Sequence, residues 1–371
     1  MPVTVREISR IMEALYPTDI AENWDNVGLQ IGSMTGPVKS IMITLEADRE
    51  IVTEAIRQHI DLIITHHPLF FKPLKTINFD HPQGELIKNL IRHNIHLYSA
   101  HTNLDAGSAG LNQYLAEQLE LQQIRLLNRS YSETLYKLVV YVPADHEAQV
   151  RESITAAGAG HIGQYSHCTY RVAGTGTFLP GEGSQPFIGT PGQMEEVREY
   201  RLETIVPKNL LGKVLDSMKQ SHPYEEVAYD VYPLANQGTT YSPGRMGVLS
   251  RSMTLGDFCQ HVKQKLAVDT LRIVGEAEDT VQKVALVSGS GAGFIDQAHR
   301  KGCDVLLTGD LKYHEAKDAQ ALGLKIIDAG HQQMERLMAP LLAGQLRAAC
   351  REKGCEITIV TCFSRECIQT I

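Results

Sequence analysis

The segment MITLEADREIVTEAIRQHIDLIITHH, from Met42 to His67, lies without a gap along ALVSGSGAGFIDQAHRKGCDVLLTGD, from Ala285 to Asp310. Ala55 falls on Ala298, Arg57 on Arg300, Asp61 on Asp304 and Thr65 on Thr308. A duplicated unit governs how every later residue is read, so the fold follows from this match. The apolar runs IMITL and DLIIT in the first copy, and VALVS and DVLLT in the second, suit strands buried on both faces of a parallel sheet. Between them Ile51, Ala55 and Ile56 recur at helical spacing, so each copy predicts strand, helix, strand.

Downstream, each copy adds another helix and strand: Leu86 to Ile91 then Ile95 to Tyr98, and Ala316 to Leu322 then Lys325 to Ile327. After that strand, His101 with Asp105 matches His331 with Glu335, a histidine followed four residues later by a carboxylate. Two related α/β halves, 1–128 and 245–371, are therefore expected to form one core and to present equivalent strand ends. In open α/β sheets ligands gather outside the carboxyl ends of strands, which puts the chemistry between the halves.

Segment 129–244 has a different character. LYKLVVYVP, AQVRESITAAG, a strand before the Gly- and Pro-rich GTGTFLPGEGSQPFIGTPGQ, VREYRLETIVP, NLLGKVLDSMKQS and HPYEEVAYDVYPL read β, α, β, β, α, β. That order is the ferredoxin-like plan, a complete small α+β domain, and it is read as an insertion. Its polar, turn-rich edges, NRSYSET and ANQGTTYSPGR, are expected to be linkers.

Composition narrows the function classes. A chain of 371 residues, 43% hydrophobic and 21% charged, is long enough for two or three domains and excludes disordered and fibrous classes. No stretch approaches the roughly 18 consecutive apolar residues of a membrane span. The start, MPVTVREISRIMEALYP, carries Glu7 and Glu13 in an amphipathic pattern instead of a basic and then apolar leader, so a cytoplasmic location is expected. A net charge of -8 without any run of Lys and Arg leaves nucleic acid a poor partner, including for a ring that encloses a duplex. Seven cysteines, an odd number, argue for reduced thiols. Cys350, Cys355, Cys362 and Cys367 crowd the tail, but their spacing is unlike familiar zinc pairs, and inert buried thiols are the expectation.

The histidines carry more. His66, His67 and Pro68 end the strand DLIIT, where Pro68 cannot continue the ladder and the break lets both imidazoles turn toward one point. His331 and Glu335 open the helix HQQMERLMAPLLAGQL, whose buried stripe is expected to be Met334, Leu337, Met338, Leu341 and Leu342. Residues four apart share a helix face, so imidazole and carboxylate can meet one divalent ion. Asp105 follows a turn in SAHTNLDAGSAG whose glycines bring its carboxylate inward. Repeat equivalence matches the strand ends that bear His66, His67 and Asp310, and those that bear His101, Asp105, His331 and Glu335.

These motifs, THHP at 65–68, SAHTNLDAG at 99–107, TGDLKYHEA at 308–316, DAGHQQME at 328–335 and ENWDNVGLQIG at 22–32, resemble the GTP cyclohydrolase type 2 homologue family. Its members are also called Nif-three-like dinuclear-metal-centre proteins. The middle segment is similar to the PII-like or CutA-like insertion of the longer bacterial members, while the tail TCFSRECIQTI departs from the family's usual ending. The resemblance implies a toroidal homohexamer and two divalent metal ions per subunit, held by His66, His67, Asp105, His331 and Glu335. It also implies that His101 and His314 stand in or beside the same pocket.

Histidines with two carboxylates carry a ligand charge of only about -2, so two divalent cations keep a positive field that acidifies water. A hydroxide shared between them would be the nucleophile of a hydrolase, with His101 or His314 as catalytic proton shuttle. Mixed nitrogen and oxygen donors suit zinc, iron, manganese or nickel. The expected substrate is a nucleotide or phosphorylated small molecule; the alternative is a noncatalytic metal carrier or ligand-sensing hexameric scaffold.

Three further motifs have mainly structural readings. VSGSGAG, from Val287 to Gly293, can cradle a phosphate or serve close strand-to-helix packing. Asn23, Asp25 and Asn26 around Trp24 are read first as an Asx-turn and second as a stacking site. His222, Tyr224, Glu225 and Glu226 are read as a solvated turn before an acid–base pair.

Overall fold

Helix α1 (Val5–Leu15) opens the chain behind a reciprocal cap. The Thr4 hydroxyl accepts from the Glu7 amide, and the Glu7 carboxylate accepts from the Thr4 amide at 2.7 Å. In this computed structural model residues 3–366 are described. Strand β1 (Gly28–Ile31) precedes β2 (Ser40–Thr44), α2 (Arg49–Arg57), β3 (Leu62–Thr65), α3 (Pro82–Arg92) and β4 (His96–Ser99). Short α4 (Thr102–Ala106), α5 (Leu111–Gln118) and β5 (Gln122–Leu126) complete this half. β2, β3 and β4 are parallel, and every residue of β3 is buried, as the apolar run requires.

The middle of the chain runs β6 (Tyr131–Pro143), α6 (Glu147–Ala156), β7 (Thr169–Phe178), β8 (Glu195–Pro207), α7 (Leu211–Ser221) and β9 (Tyr229–Tyr241). Its four strands lie in the order β7-β8-β6-β9. Val150, Ile154, Val214 and Met218 from the two helices bury against Leu138, Val140 and Leu202 of the sheet. The edges expected to be linkers are instead strand: β6 begins at Tyr131, and β9 runs through Gly238 to Tyr241. Alternation in YSETLYK and a glycine at 238 explain this, since a Cβ there would stand 2.6 Å from the Glu133 carbonyl oxygen.

The chain then continues with β10 (Arg245–Thr254), α8 (Leu255–Leu266), β11 (Arg272–Val274), β12 (Thr280–Leu286), α9 (Ile295–Arg300), β13 (Val305–Thr308), α10 (Tyr313–Leu322) and β14 (Lys325–Asp328). Last come α11 (His331–Glu335), α12 (Met338–Glu352) and β15 (Thr358–Thr361). One sheet has the order β1-β4-β3-β2-β15 and the other β11-β14-β13-β12-β10-β5. The chain divides into two units, residues 1–130 with 241–371, and residues 131–240.

The register repeats between the two outer sheets. Ile41 pairs with Leu62 and Leu62 with His96; Val284 pairs with Val305 and Val305 with Lys325. Each sheet also has an antiparallel edge, β1 on β4 and β11 on β14. Asp61 accepts from the amides of Lys39 and Ser40 at 2.8 and 3.0 Å, and Asp304 from those of Gln282 and Lys283 at 2.9 and 2.8 Å. The match of Asp61 on Asp304 is thus a matched hydrogen-bond pattern.

The helix expected from His331 through Leu346 is broken at Arg336 and Leu337. Pro340 is the physical reason, because its ring clashes with the carbonyl four residues earlier and offers no amide, so it fits only the first turn of a new helix. Met334, Met338, Leu342 and Leu346 are buried, whereas Leu337 and Leu341 are half-buried. In the tail Cys350 is buried and Cys355 and Cys362 are half-buried, and no cysteine joins a metal-competent group among the described residues. Burial pushes the thiols of Cys350 and Cys362 up, which suits inert side chains. Cys367 lies outside the described residues.

Candidate metal centre

β3 and β4 end side by side at Thr65 and Ser99, and β13 and β14 at Thr308 and Asp328. The residues that follow these ends meet at one place. Past β3, the amides of His66 and His67 both donate to the Leu45 carbonyl, at 3.1 and 2.8 Å. That shared anchor takes both residues out of the pleat, so their imidazoles lie on one side with ring centroids 5.3 Å apart.

His66 Nε2 stands 3.7 Å from Asp105 Oδ1 and 3.7 Å from Glu335 Oε1. His67 Nε2 is 2.9 Å from Glu335 Oε2 and 3.3 Å from His331 Nε2, which itself is 2.8 Å from Glu335 Oε2. Asp105, Glu335 and His66 are nearly inaccessible. His101 comes from the residue before α4 and places its ring centroid 5.0 Å from that of His66 and 5.6 Å from that of His67. Two groups here are close enough to share an ion: His66, His67 and His101, and His67, His331 and Glu335. His314 is not brought to the cluster. It sits exposed on the first turn of α10, edge-on to Tyr313 at 5.3 Å, because α10 starts beyond the strand end and turns that residue to solvent.

Three of the four imidazoles are held by hydrogen bonds at their outer nitrogens. His66 Nδ1 donates to the Ala100 carbonyl at 2.9 Å, His101 Nδ1 to Asp25 Oδ1 at 2.9 Å and His331 Nδ1 to Asp310 Oδ2 at 2.7 Å. His67 Nδ1 faces Glu46 at the longer ion-pair distance of 3.9 Å. In these three a fixed outer proton turns Nε2 inward, where it would ligate once deprotonated, the arrangement by which ligating histidines are oriented. The buried carboxylate of Asp105 accepts from Ser288 Oγ at 3.1 Å, and Asn112 donates to that hydroxyl at 2.8 Å.

Asp25 was expected to close an Asx-turn. It accepts from the next amide, Asn26, at 2.8 Å, but its larger role is to reach His101 and the Thr102 amide, at 3.0 Å for the latter. Trp24 is 60% exposed, and its ring lies 5.8 Å from that of His101. Two of the glycines of VSGSGAG, Gly289 and Gly291, serve close approach. Gly289 has φ +62, and a Cβ there would lie 2.3 Å from Glu335 Oε1. Two amides of the turn already have protein partners, Ser288 N on Asn112 at 2.7 Å and Gly291 N on Thr308 at 2.8 Å, which disfavours the phosphate cradle.

Arg245, the largest fully buried side chain, has no sequence signal of its own. It donates to the carbonyls of Gly107 at 2.7 Å and Ala106 at 3.3 Å, to Gln113 at 3.1 Å and to Ser242. It therefore pins the end of α4, which carries Asp105. Burial depresses it to about 10, against the pull of Asp105.

The titration pattern follows from packing acids and imidazoles together. Burial would lower His67, but the hydrogen bond to Glu335 and the negative charge of Glu46 carry it up to about 10. Hydrogen bonding to Glu335 raises His331 to about 9. Burial opposes ionisation of Glu335, yet His66, His331 and His67 around it hold it well below the carboxylate range, while burial pushes Asp105 up. Burial likewise would raise Asp25, but His101 and Thr102 bring it down to about 2.

Two cavities flank the cluster. One, of about 670 Å³, is lined by Trp24, Phe71, Phe294, His101 and the Ser288–Ser290 turn; the other, of about 570 Å³, by Glu46, Arg272, Asp310 and Gln333. No described helix is long and apolar enough to cross a membrane.

The sequence profile of a family described as Duf34/NIF3 (NGG1p interacting factor 3) matches residues 3–366. A Bacillus subtilis protein named GTP cyclohydrolase 1 type 2 homolog is 44% identical over 357 residues, covering 96% of this chain and 95% of the relative. The crystal structure of a Bacillus cereus protein related to NIF3 superposes with a TM-score of 0.91 at 44% identity, covering both chains completely at 100%. A Staphylococcus aureus crystal structure gives a TM-score of 0.78 at 29% identity, covering 100% of this chain and 99% of the other.

Proposed function

The chain belongs to the Duf34/NIF3 (NGG1p interacting factor 3) family, and we propose that it is a hydrolase dependent on two divalent cations held by His66, His67, Asp105, His331 and Glu335. One observation carries this reading. His66 Nε2 is fully buried, has no hydrogen-bond partner and faces two carboxylate oxygens at 3.7 Å. Against the effect of burial, Asp105 and Glu335 raise His66, and once its Nε2 gives up that proton the lone pair would face the same two carboxylates, an arrangement that a cation between them would make favourable. The donor set fits such a cation, and mixed imidazole and carboxylate ligands suit zinc, iron, manganese or nickel. Bound there, divalent ions would polarise an electrophilic group and acidify water.

The remaining steps belong to the chain's own residues. Asp25 holds the Nδ1 proton of His101, which leaves Nε2 to exchange a proton beside the cluster, the work of a general acid–base. Trp24, Phe71 and Phe294 offer flat apolar walls to a planar ring. The substrate we propose is a nucleotide or another phosphorylated small molecule attacked at carbon or phosphorus. We further read the middle segment, residues 129–244, as a ferredoxin-like, PII- or CutA-like insertion, and the assembly as a toroidal homohexamer in the cytoplasm.

The test is turnover of GTP and a phosphoester panel by metal-loaded protein beside Glu335→Ala, with metal content measured for both. Activity that falls with metal content in the variant supports catalysis at this centre. Equal rates remove the catalytic role, and tight but exchangeable ions without turnover point to the metal carrier.

A further inference from the structure

The middle unit holds a cavity of its own, of about 470 Å³, within the roughly 300–1,000 Å³ typical of small-molecule sites. Phe178 at the end of β7, Phe187 in the loop beyond it, Tyr141 on β6 and Tyr224 before β9 supply its rings. Phe178 and Phe187 stand 6.1 and 6.4 Å, centroid to centroid, from Tyr224. Three carboxylates, Glu199, Glu225 and Glu226, share the lining, and no Lys, Arg or His does.

The acid at the base is built in. Glu199 is 9% exposed, and Tyr224 Oη donates to its Oε1 at 2.9 Å. Across the strand pair, a Cβ at Gly176 would stand 2.2 Å from Glu199 Oε2, so only glycine lets this carboxylate lie flush against β7. Glu225 Oε1 accepts from the Gln185 amide at 3.0 Å, which draws the Gly- and Pro-rich loop toward the turn. His222 serves placement and not acid–base work: Nε2 donates to the Tyr141 carbonyl at 2.9 Å and Nδ1 accepts from the Tyr224 amide at 3.1 Å. Arg201 lies over the Tyr141 ring but is tied to Glu203 at 2.9 Å and does not line the cavity.

Aromatic faces and carboxylates both attract positive charge, and rings add an apolar body to the recognition. A divalent metal is a poorer fit. Among the described residues, the groups of ligands close enough to share an ion are those of His66, His67, His101, His331 and Glu335. We infer that this cavity binds a small organic cation, with an ammonium or guanidinium head against Glu199 and an apolar body between Phe178, Phe187 and Tyr224. This site is separate from the metal centre and does not depend on its chemistry.

Calorimetric titration of the full, metal-loaded chain tests this with 2-phenylethylammonium and benzamidinium, beside neutral 2-phenylethanol and anionic 3-phenylpropionate. Saturable binding of one cation per chain is expected, with the alcohol roughly tenfold weaker and the anion not bound. Glu199→Gln should weaken the cation by roughly tenfold, the loss of a charge-assisted contact. If Glu199→Gln lowers the melting temperature, the exposed pair Glu225→Gln with Glu226→Gln decides, with an expected weakening of about threefold. Absence of binding by both cations, equal binding of the alcohol, or unchanged affinity in the folded variants overturns the assignment.

Discussion

Asp310 Oδ2 lies 2.7 Å from His331 Nδ1, on a backbone held at φ 56. A left-handed conformation costs a non-glycine residue of order 1 kcal/mol, and here it aims a carboxylate that fixes which imidazole nitrogen keeps its proton. Asp25 does the same for His101 from the other half of the core unit. Both ends of the cluster therefore have an acid behind an imidazole.

Asp310→Asn should weaken metal binding by roughly 10–100-fold while changing metal-free stability little, because asparagine tolerates the same backbone but lacks the charge. Competition with a chelator measures the affinity and thermal melting the stability. Unchanged affinity would show that Asp310 does not orient His331.

Gly289→Ala should lower both stability and metal content, since the new methyl meets Glu335 Oε1 at 2.3 Å on a backbone at φ +62. The expected cost is about 1–3 kcal/mol. Gly293→Ala is the control, with ordinary φ and open space around its Cβ, and should behave as wild type. Equal melting temperatures for the two variants would contradict the packing described.

Arg245→Met removes hydrogen bonds to the carbonyls of Ala106, Gly107 and Ser242 and should destabilise the fold by about 2–4 kcal/mol. Metal affinity should fall as well, because the end of α4 is released. Urea unfolding with an unchanged midpoint would show that the buried guanidinium is dispensable.

In the metal-free protein His67 and His331 titrate at about 10 and about 9, above the ordinary 6.5. Groups raised on folding stabilise fully below the unfolded value and lose that contribution as pH rises through the folded one. The metal-free melting temperature should therefore fall between pH 7 and 10. Metal must displace those protons, so apparent affinity should rise over the same interval. The melting temperature should fall over this interval with chelator and stay nearly flat with saturating metal, where neither the bound nor the unfolded state carries those protons, and parallel slopes would exclude this linkage.

His101→Ala should reduce metal occupancy and any turnover, whereas His314→Ala should leave both unchanged, as the latter is exposed and outside the cluster. Elemental analysis and turnover of both variants decide. A loss of turnover in His314→Ala would restore the shuttle role that its position on α10 does not support.

Much of the core could be read from the repeat. The pairing of Ile41 with Leu62 and Val284 with Val305 follows from two apolar runs with identical spacing, and the matched strand ends point to His66, His67, His101, Asp105, Asp310, His331 and Glu335, from which the resemblance implies the five proposed ligands. What was hidden depends on contacts distant in sequence. Asp25 reaches His101 across 76 residues, and Arg245 meets Gly107 across 138, and neither leaves a local pattern. His314 comes only with the family resemblance, and it stands exposed on α10 outside the cluster. The break at Arg336 is legible in Pro340, which outweighs the continuous apolar stripe.

His67 and Glu335, 2.9 Å apart, are separated by 268 positions in the chain. A growing chain carries His66, His67 and His101 long before the last carboxylate exists, so any ion that needs Glu335 would be taken up only after that residue has been made.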